Sequence, residues 1–143
     1  MIKSTVTGAG GIEIMLGKIA VSKADWLKVG DGLRRRMQKR ISKGKDANGN
    51  AFKPYAASTL KKKKRAGKSS TVDMRDTGHM RDQIVVSSDS DGANISLTGG
   101  RSKIGYYHQA GKGKNKKREW FGATKENKEK TREHYMRLAR KKK

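Results

Sequence analysis

The sequence predicts an α+β fold: a small, mostly antiparallel sheet with helices packed on one face, long basic loops and a C-terminal helix. Two observations carry this prediction. Alternating apolar and polar segments flank an Asp-Gly step, which is typical of a β-hairpin, and longer segments carry apolar residues at helical spacing. No repeat of roughly 20 to 50 residues and no linker divides the chain. We therefore expect a single domain over residues 1–143.

The N-terminal elements are predicted from two short apolar patterns. From Ile2 to Val6 apolar residues alternate with polar ones, which indicates a short strand that ends at a cluster of glycines. From Ile12 to Ile19 apolar residues recur at helical spacing. We expect a short amphipathic helix there.

A longer amphipathic helix is predicted from Ala24 to Ser42, with Ser22 and Asp25 placed as a capping box. Its apolar stripe consists of Trp26, Val29, Leu33, Met37 and Ile41. Its basic face consists of Lys28, Arg34, Arg35, Lys39 and Arg40. Such a face either contacts nucleic acid or is a solvated helix surface, and the pattern leaves both open.

Turn-forming residues at 43–50 predict a loop, and we expect Phe52 and Tyr55 to anchor it against the core. A second helix is predicted to begin at Ala57 and to stop at Gly67. This helix runs into a basic cluster formed by Lys61, Lys62, Lys63, Lys64 and Arg65.

The predicted hairpin follows a short helix, which Asp76 or Thr77 can cap and which carries Met80 and Ile84. Two strands come next, with strand-forming residues on either side of the Asp-Gly turn. They span residues 84–88 and 94–98 and flank the turn at 89–92.

The C-terminal third is predicted to end in a helix that begins at about Thr124. Before it, residues 104–110 are apolar enough to dock on the sheet, and residues 111–117 form a Gly/Lys loop. Trp120 and Phe121 are expected to return to the core as a short strand. One face of the final helix carries Thr131, Tyr135 and Leu138.

Thirty-six Lys and Arg residues against 13 Asp and Glu residues give a formal net charge of +23. Such a charge attracts polyanions, so we expect contact with DNA or an acidic protein surface; a merely solvated basic surface is the alternative. The candidate contact residues are Lys61, Lys62, Lys63, Lys64, Arg65, Lys112, Lys114, Lys116 and Lys117. We expect mobile loops at about 43–50, 61–72 and 111–118.

Catalytic chemistry is not expected of this chain. It has no cysteine, which excludes thiolate nucleophiles and Cys-based zinc sites. His79, His108 and His134 have no recognisable catalytic partner, and the carboxylates are scattered, so we expect neither a metal nor a cofactor. No apolar run approaches the roughly 20 residues of a membrane span. We expect a protein that is made in the cytoplasm, is soluble there and has no membrane partner.

Four segments of the chain resemble, in order, segments of the phage virion-morphogenesis proteins. Residues 44–60 resemble G-D-x-x-G-x-x-W-x-P-L-S-x-x-T-L, with Phe52 in place of Trp. Residues 76–84 resemble D-T-G-x-L-x-x-S-I, and residues 106–111 resemble a shortened Y-A-x-x-H-Q-x-G. Residues 118–122 resemble P-A-R-P-F-L-G without its prolines. Each segment is weak alone, and their common order makes the resemblance more specific.

That family includes the tail-completion and neck proteins of Mu-like and related tailed phages. The resemblance implies a structural virion protein that forms a homo-oligomeric ring, of six subunits, between head connector and tail tube. It implies a location at the neck or tail top of the virion. The implied neighbours are head-completion or connector, tail-terminator or tail-tube proteins, with genomic DNA as a further contact.

The resemblance also indicates candidate interface residues, which could equally support the core: His108, Gln109, Arg118, Trp120 and Phe121. A second function stays open at this point. The chain could be a basic nucleic-acid-binding protein that acts in phage DNA packaging or replication.

Overall fold

The computed structural model describes residues 3–7, 11–15, 21–74, 79–100 and 102–141. Its fold is α+β, as predicted. In chain order, its elements are β1 (Lys3–Thr7), β2 (Gly11–Met15), α1 (Lys23–Ser42), α2 (Ala57–Arg65), α3 (His79–Asp82), β3 (Ile84–Ser88), β4 (Gly92–Leu97), α4 (Ser102–Ala110) and α5 (Lys125–Arg140).

The four strands form one antiparallel sheet in the order β1-β2-β4-β3. The predicted N-terminal strand is confirmed as β1. The helix predicted from Ile12 to Ile19 is wrong over residues 12–15, which belong to β2, and residues 16–19 lie outside the described residues. Ile12 and Ile14 also fit the alternation of a strand, and pairing with β1 on one side and β4 on the other satisfies the backbone of this segment.

The predicted hairpin is confirmed as β3 and β4, although β4 begins at Gly92 rather than at residue 94. Its turn is held by the Asp89 carboxylate, whose Oδ1 accepts hydrogen bonds from the backbone N–H of Asp91 at 2.8 Å and of Gly92 at 2.9 Å. Such local acceptance by Asp favours a turn over a continued strand. The short preceding helix α3 ends at Asp82, so Ile84 lies in β3 and not in that helix; its predicted caps lie outside the described residues.

Helix α1 packs on one face of the hairpin, as predicted. Ser22 caps it, accepting a hydrogen bond from the Asp25 N–H at 3.3 Å and donating one to the Asp25 carboxylate at 2.7 Å. The whole predicted apolar stripe is buried, and it packs with the inward residues of the hairpin, which are Ile84, Val86, Ala93 and Ile95. Alternate strand positions, including Val85, Ser87 and Asn94, are exposed on the other face.

The approach of α1 to the sheet depends on Gly30. A Cβ built at this position would lie 2.5 Å from Val86 Cγ1 and 3.0 Å from the Ala93 Cβ. No side chain fits at that separation, so the helix can lie this close to the hairpin only because residue 30 is glycine.

Helix α5 packs against α1. Thr124 caps it by accepting a hydrogen bond from the Asn127 N–H at 3.1 Å, which confirms the predicted start. Tyr135 stacks on Trp26 with 5.0 Å between ring centroids. Thr131 is buried and accepts a hydrogen bond from Arg36 Nη2 at 2.7 Å. The predicted inner face of this helix is therefore confirmed, with Leu138 half-buried at its margin.

Three further predictions are corrected. Trp120 and Phe121 are buried in the core, as expected, but they do not form a strand. The segment at 104–110 forms α4, which lies beside α3. Residues 61–65 are helical, so only the part of the predicted 61–72 loop after Arg65 is irregular. The mobility of the three loops stays a prediction.

Candidate functional site

Two of the predicted basic segments, far apart in the chain, meet at one cleft of about 370 Å³. One wall is α2 and the residues after it, and the other is the loop at 112–118. We call this cleft the basic cleft. Its cationic lining residues are Lys62, Lys63, Lys68, Lys114, Lys116 and Arg118, and no Asp or Glu is among the described residues that line it.

Two buried cations form the base of the basic cleft. Lys63 and Arg118 are each 6% exposed, and both lie over the ring of Tyr55: Lys63 Nζ is 4.6 Å and Arg118 Cζ 5.4 Å from the ring centroid. Lys63 also lies 3.7 Å from the Asp73 carboxylate. A buried cation needs such partners, and cation–π contact together with an ion pair supplies them.

Arg118 joins three parts of the chain. Its Nε donates to the Lys53 carbonyl at 3.1 Å and its Nη2 to the Pro54 carbonyl at 3.2 Å. Its Nη1 lies 3.5 Å from His108 Nδ1, and its backbone N–H donates to the His108 carbonyl at 2.7 Å. Burial lowers the pKa of Arg118, partly offset by Tyr55. The side chain thus ties the 52–55 segment and α4 together while it lines the cleft.

The surroundings of His108 favour its neutral form. Burial, followed by the nearby Arg118 charge, lowers the pKa of its imidazole below the ordinary 6.5. Because a guanidinium can only donate, Nδ1 of His108 must accept, which places its proton on Nε2. His134 has a similarly lowered pKa, through burial first and then through Arg137, Arg36, Arg35 and Lys28.

A tight turn brings the second wall of the cleft back to α4. Gly111 has φ +69° and Gly113 φ +67°, a backbone conformation that favours glycine. A Cβ at Gly111 would meet the Cα of Lys117 at 3.0 Å. The backbone of Lys112 also donates to the Tyr107 carbonyl at 3.0 Å. The lysines at 114 and 116 are therefore presented by a turn that is closed by backbone contacts.

The other predicted interface residues lie behind the cleft and support the core. The side-chain amide of Gln109 bonds to the backbone of Phe121, and Trp120 Nε1 donates to the Gly105 carbonyl at 3.0 Å. Trp120 and Phe121 are almost fully buried within this subunit, with ring centroids 5.6 Å apart. Whether this group also contacts a neighbouring subunit stays a prediction.

The remaining predicted contact residues do not line the cleft. Lys61, Lys64 and Arg65 are on α2 and exposed. Lys112 lies over the Tyr106 ring at 5.0 Å, and Lys117 forms an ion pair with Glu119 at 2.5 Å. Four of the nine predicted cations therefore line the cleft, at positions 62, 63, 114 and 116, and Lys68 and Arg118 line it as well.

Arg40 has a role that the sequence analysis missed. We predicted it on the exposed basic face of α1, whether solvated or in contact with nucleic acid, but it is 9% exposed. Its Nη1 donates to the Gly122 carbonyl at 2.6 Å and its Nη2 to the Trp120 carbonyl. Burial lowers its pKa to about 10, partly offset by Asp46. Its place at the border of the apolar stripe, next to Ile41, was the only signal in the sequence.

The described residues offer little for metal chemistry. No group of three or more His, Asp or Glu side chains among them could hold a metal ion. Within the same part of the chain, no helix is long and apolar enough to cross a membrane.

Comparison with known families gives one match. The model of the phage virion morphogenesis family matches residues 12–138, from β2 to the last turns of α5. Comparison with curated proteins and with solved structures returned no match. The family match spans both walls of the basic cleft and the buried group around Trp120. The chain therefore belongs to the phage virion morphogenesis family, which indicates a structural or assembly role in the phage particle.

Proposed function

We propose that this chain is a tail-completion or head-to-tail joining protein. It assembles as a homo-oligomeric ring, of six subunits, between the head connector and the tail tube. The observation that carries this proposal is the family match over residues 12–138. The protein acts by docking and assembly, without catalytic chemistry, at the neck or tail top of the virion. Its neighbours there are head-completion or connector, tail-terminator or tail-tube proteins.

An open sheet edge beside an apolar patch supports ring formation. Among the described strands β3 pairs only with β4, so its outer edge presents unpaired backbone groups. Leu27 is 45% exposed and Val85 37% exposed, and both line one shallow cleft between α1 and β3, which also has Asp31, Arg34 and Asp82 in its walls. We call Leu27, Val85 and the outer edge of β3 the edge patch.

A second copy of this chain is the occupant that suits the edge patch. It would pair the backbone of β3 and cover both apolar side chains. If the second copy docks through a different surface of its own, the same contact repeats from subunit to subunit, and it forms a ring when the rotation between neighbours closes.

The ring and the edge patch are tested together. We expect the wild-type chain to form rings, detected by electron microscopy and sedimentation velocity, and to bind purified tails or heads. The double variant Leu27→Glu/Val85→Glu should lose both properties and keep its melting temperature, because the replaced side chains are exposed. Ile104→Glu/Tyr106→Glu is the matched control, since both residues are 39% exposed and lie outside the edge patch.

Two outcomes would count against these statements. A wild-type chain that stays monomeric at every concentration and binds neither tails nor heads overturns the proposed function. If the control pair blocks ring formation and the edge-patch pair does not, the ring is retained and the edge patch is rejected as its interface.

A further inference from the structure

We infer that the basic cleft binds the sugar–phosphate backbone of double-stranded DNA. This inference concerns a surface other than the edge patch and does not rest on the ring. It identifies, within a virion protein, the residues that would touch the genome.

The first support is the absence of local charge compensation on the rim of the basic cleft. Elsewhere in the fold, some cations are paired along their own helix, such as Arg34 with Asp31 on α1 and Lys130 with Glu126 on α5. By contrast, the rim lysines have no carboxylate within ion-pair distance among the described residues; they are Lys62, Lys114 and Lys116. Exposed cations that no neighbouring carboxylate neutralises are the groups that displace counterions from a phosphate backbone.

The second support is the arrangement of the aromatic ring at the base. Proteins that bind single strands stack bases on exposed aromatic faces. Here the Tyr55 ring is already in contact with Lys63 and Arg118. Stacking of a base on a ring face that these cations occupy would require them to leave it. The cleft is therefore built for phosphate contact without base stacking, which favours a duplex over a single strand.

The third support concerns the alternative polyanion, an acidic protein surface. Protein interfaces are centred on apolar or aromatic anchors in desolvated pockets. Apart from its cations, the cleft is lined by the small side chains of Ala56, Thr59 and Ala66, by Asn115, by the half-buried His108 and by a tyrosine whose ring contacts two cations. Its attraction is thus electrostatic and independent of sequence, as for a uniformly charged DNA backbone.

Arg118 gives the site a fixed component. Three of its N–H groups point to the Lys53 carbonyl, the Pro54 carbonyl and His108 Nδ1. Since a guanidinium has five N–H donors, one remains on each terminal nitrogen. A phosphate in the cleft can accept from these donors while the flexible rim lysines close around it.

The test compares the full-length wild-type chain with Lys62→Gln/Lys114→Gln/Lys116→Gln, using a duplex of about 30 base pairs, roughly 100 Å long. Binding is measured by fluorescence anisotropy between about 0.05 and 0.2 M salt. Removing three phosphate contacts should reduce the slope of log affinity against log salt by about 2.7. The wild-type chain should therefore lose about 40-fold more affinity over this range than the variant does.

The matched control removes the same charge from exposed lysines that do not line the cleft, with Lys39→Gln/Lys125→Gln/Lys128→Gln. Its slope should change by less than about 1. Equal slopes for the two triple variants would overturn the inference, because binding would then depend on net charge alone. Tighter binding of a single strand than of the duplex, or of polyglutamate at equal charge and salt, would also overturn it.

Sedimentation of the same variants separates this inference from the proposed function. A cleft variant that loses DNA affinity but forms rings supports both. Rings without any cleft-dependent DNA binding reject the cleft alone, and cleft-dependent binding by a chain that never assembles rejects the ring alone.

Discussion

The side-chain amide of Gln109 forms two hydrogen bonds with the backbone of Phe121: Nε2 donates to the carbonyl oxygen at 3.2 Å, and Oε1 accepts from the N–H at 3.0 Å. The buried segment at Trp120 and Phe121 has no strand partner, so the side chains of Gln109 and Arg40 and the backbone carbonyl of Arg118 satisfy its backbone instead. This explains why a segment that is apolar enough for a strand is buried without joining the sheet.

The first prediction concerns this pairing. Gln109→Glu keeps the size of the side chain and one acceptor, but it places a carboxylate oxygen against the Phe121 carbonyl. We expect the free energy of unfolding to fall by about 1–3 kcal/mol, since a buried acceptor is left unsatisfied. Urea unfolding measures it, with Gln109→Met as the variant that removes both bonds without adding charge. A Gln109→Glu chain as stable as wild type would contradict the pairing.

The second prediction concerns Trp120, which is fully buried. Trp120→Ala should lower the free energy of unfolding by about 3–5 kcal/mol through loss of packing. Trp120→Phe keeps most of the packing and leaves the Gly105 carbonyl without its donor, so we expect a loss of about 1–3 kcal/mol. Trp26→Phe is the control for ring size, because Trp26 is buried by stacking on Tyr135. An unchanged melting temperature for Trp120→Ala would refute the prediction.

The third prediction separates helix propensity from packing within α1. Alanine is favoured over glycine in a helix by about 1 kcal/mol. Gly32→Ala should therefore be neutral or stabilising, since the closest atom to its Cβ is His134 Nδ1 at 3.1 Å, on a side chain that can move. Gly30→Ala should destabilise the fold by about 1–3 kcal/mol, because its Cβ would overlap Val86. Chemical denaturation of the two variants measures both changes, and equal changes in the free energy of unfolding would argue against the close approach.

The fourth prediction is a loss of stability in mild acid. The folded chain lowers the pKa of His108 and His134, whereas the unfolded chain keeps it near 6.5. Below about pH 6.5 the unfolded chain therefore binds more protons, and the free energy of unfolding falls as the pH falls through the folded pKa values. At pH values above about 6.5 this contribution is fully present and constant.

Melting temperatures between about pH 5 and 8 test this dependence. His108→Asn keeps an acceptor for Arg118 and cannot be protonated, so its stability should fall less in acid than that of wild type. His134→Asn should flatten the curve as well, and the double variant more than either. Identical curves for all four proteins would show that other groups control the acid sensitivity.

Prediction from the sequence succeeded where a pattern is local. The cap at Ser22, the start of the last helix at Thr124 and the turn at Asp89 depend on hydrogen bonds between residues at most three positions apart. It failed at β2, where the sequence fits both a helical and an alternating pattern, and pairing with β4 makes the segment a strand. It also failed at Arg40, because long-range contacts to the Trp120 and Gly122 carbonyls bury a residue that local pattern assigns to solvent.

The basic cleft shows the same division. Its cations at α2 and at the 112–118 loop were recognised as two separate basic segments, and their charge follows from composition alone. Their meeting in one cleft depends on Arg118, which links α4 to the segment at 53–54. Lys63 was expected to contact a partner directly, but it is buried against Tyr55 and Asp73 and forms part of the base.

By itself, the sequence determined the fold class, the apolar stripes, the cap of α1, the hairpin, the basic charge and the family. Only the tertiary structure decided which cations share a cleft, which arginine is buried, and how Trp120 and Phe121 are held without a strand. The physical reason is the separation along the chain between the residues that interact. Caps, turns and amphipathic stripes depend on residues within a few positions of each other, whereas burial of a charge and convergence of two loops depend on contacts between residues tens of positions apart.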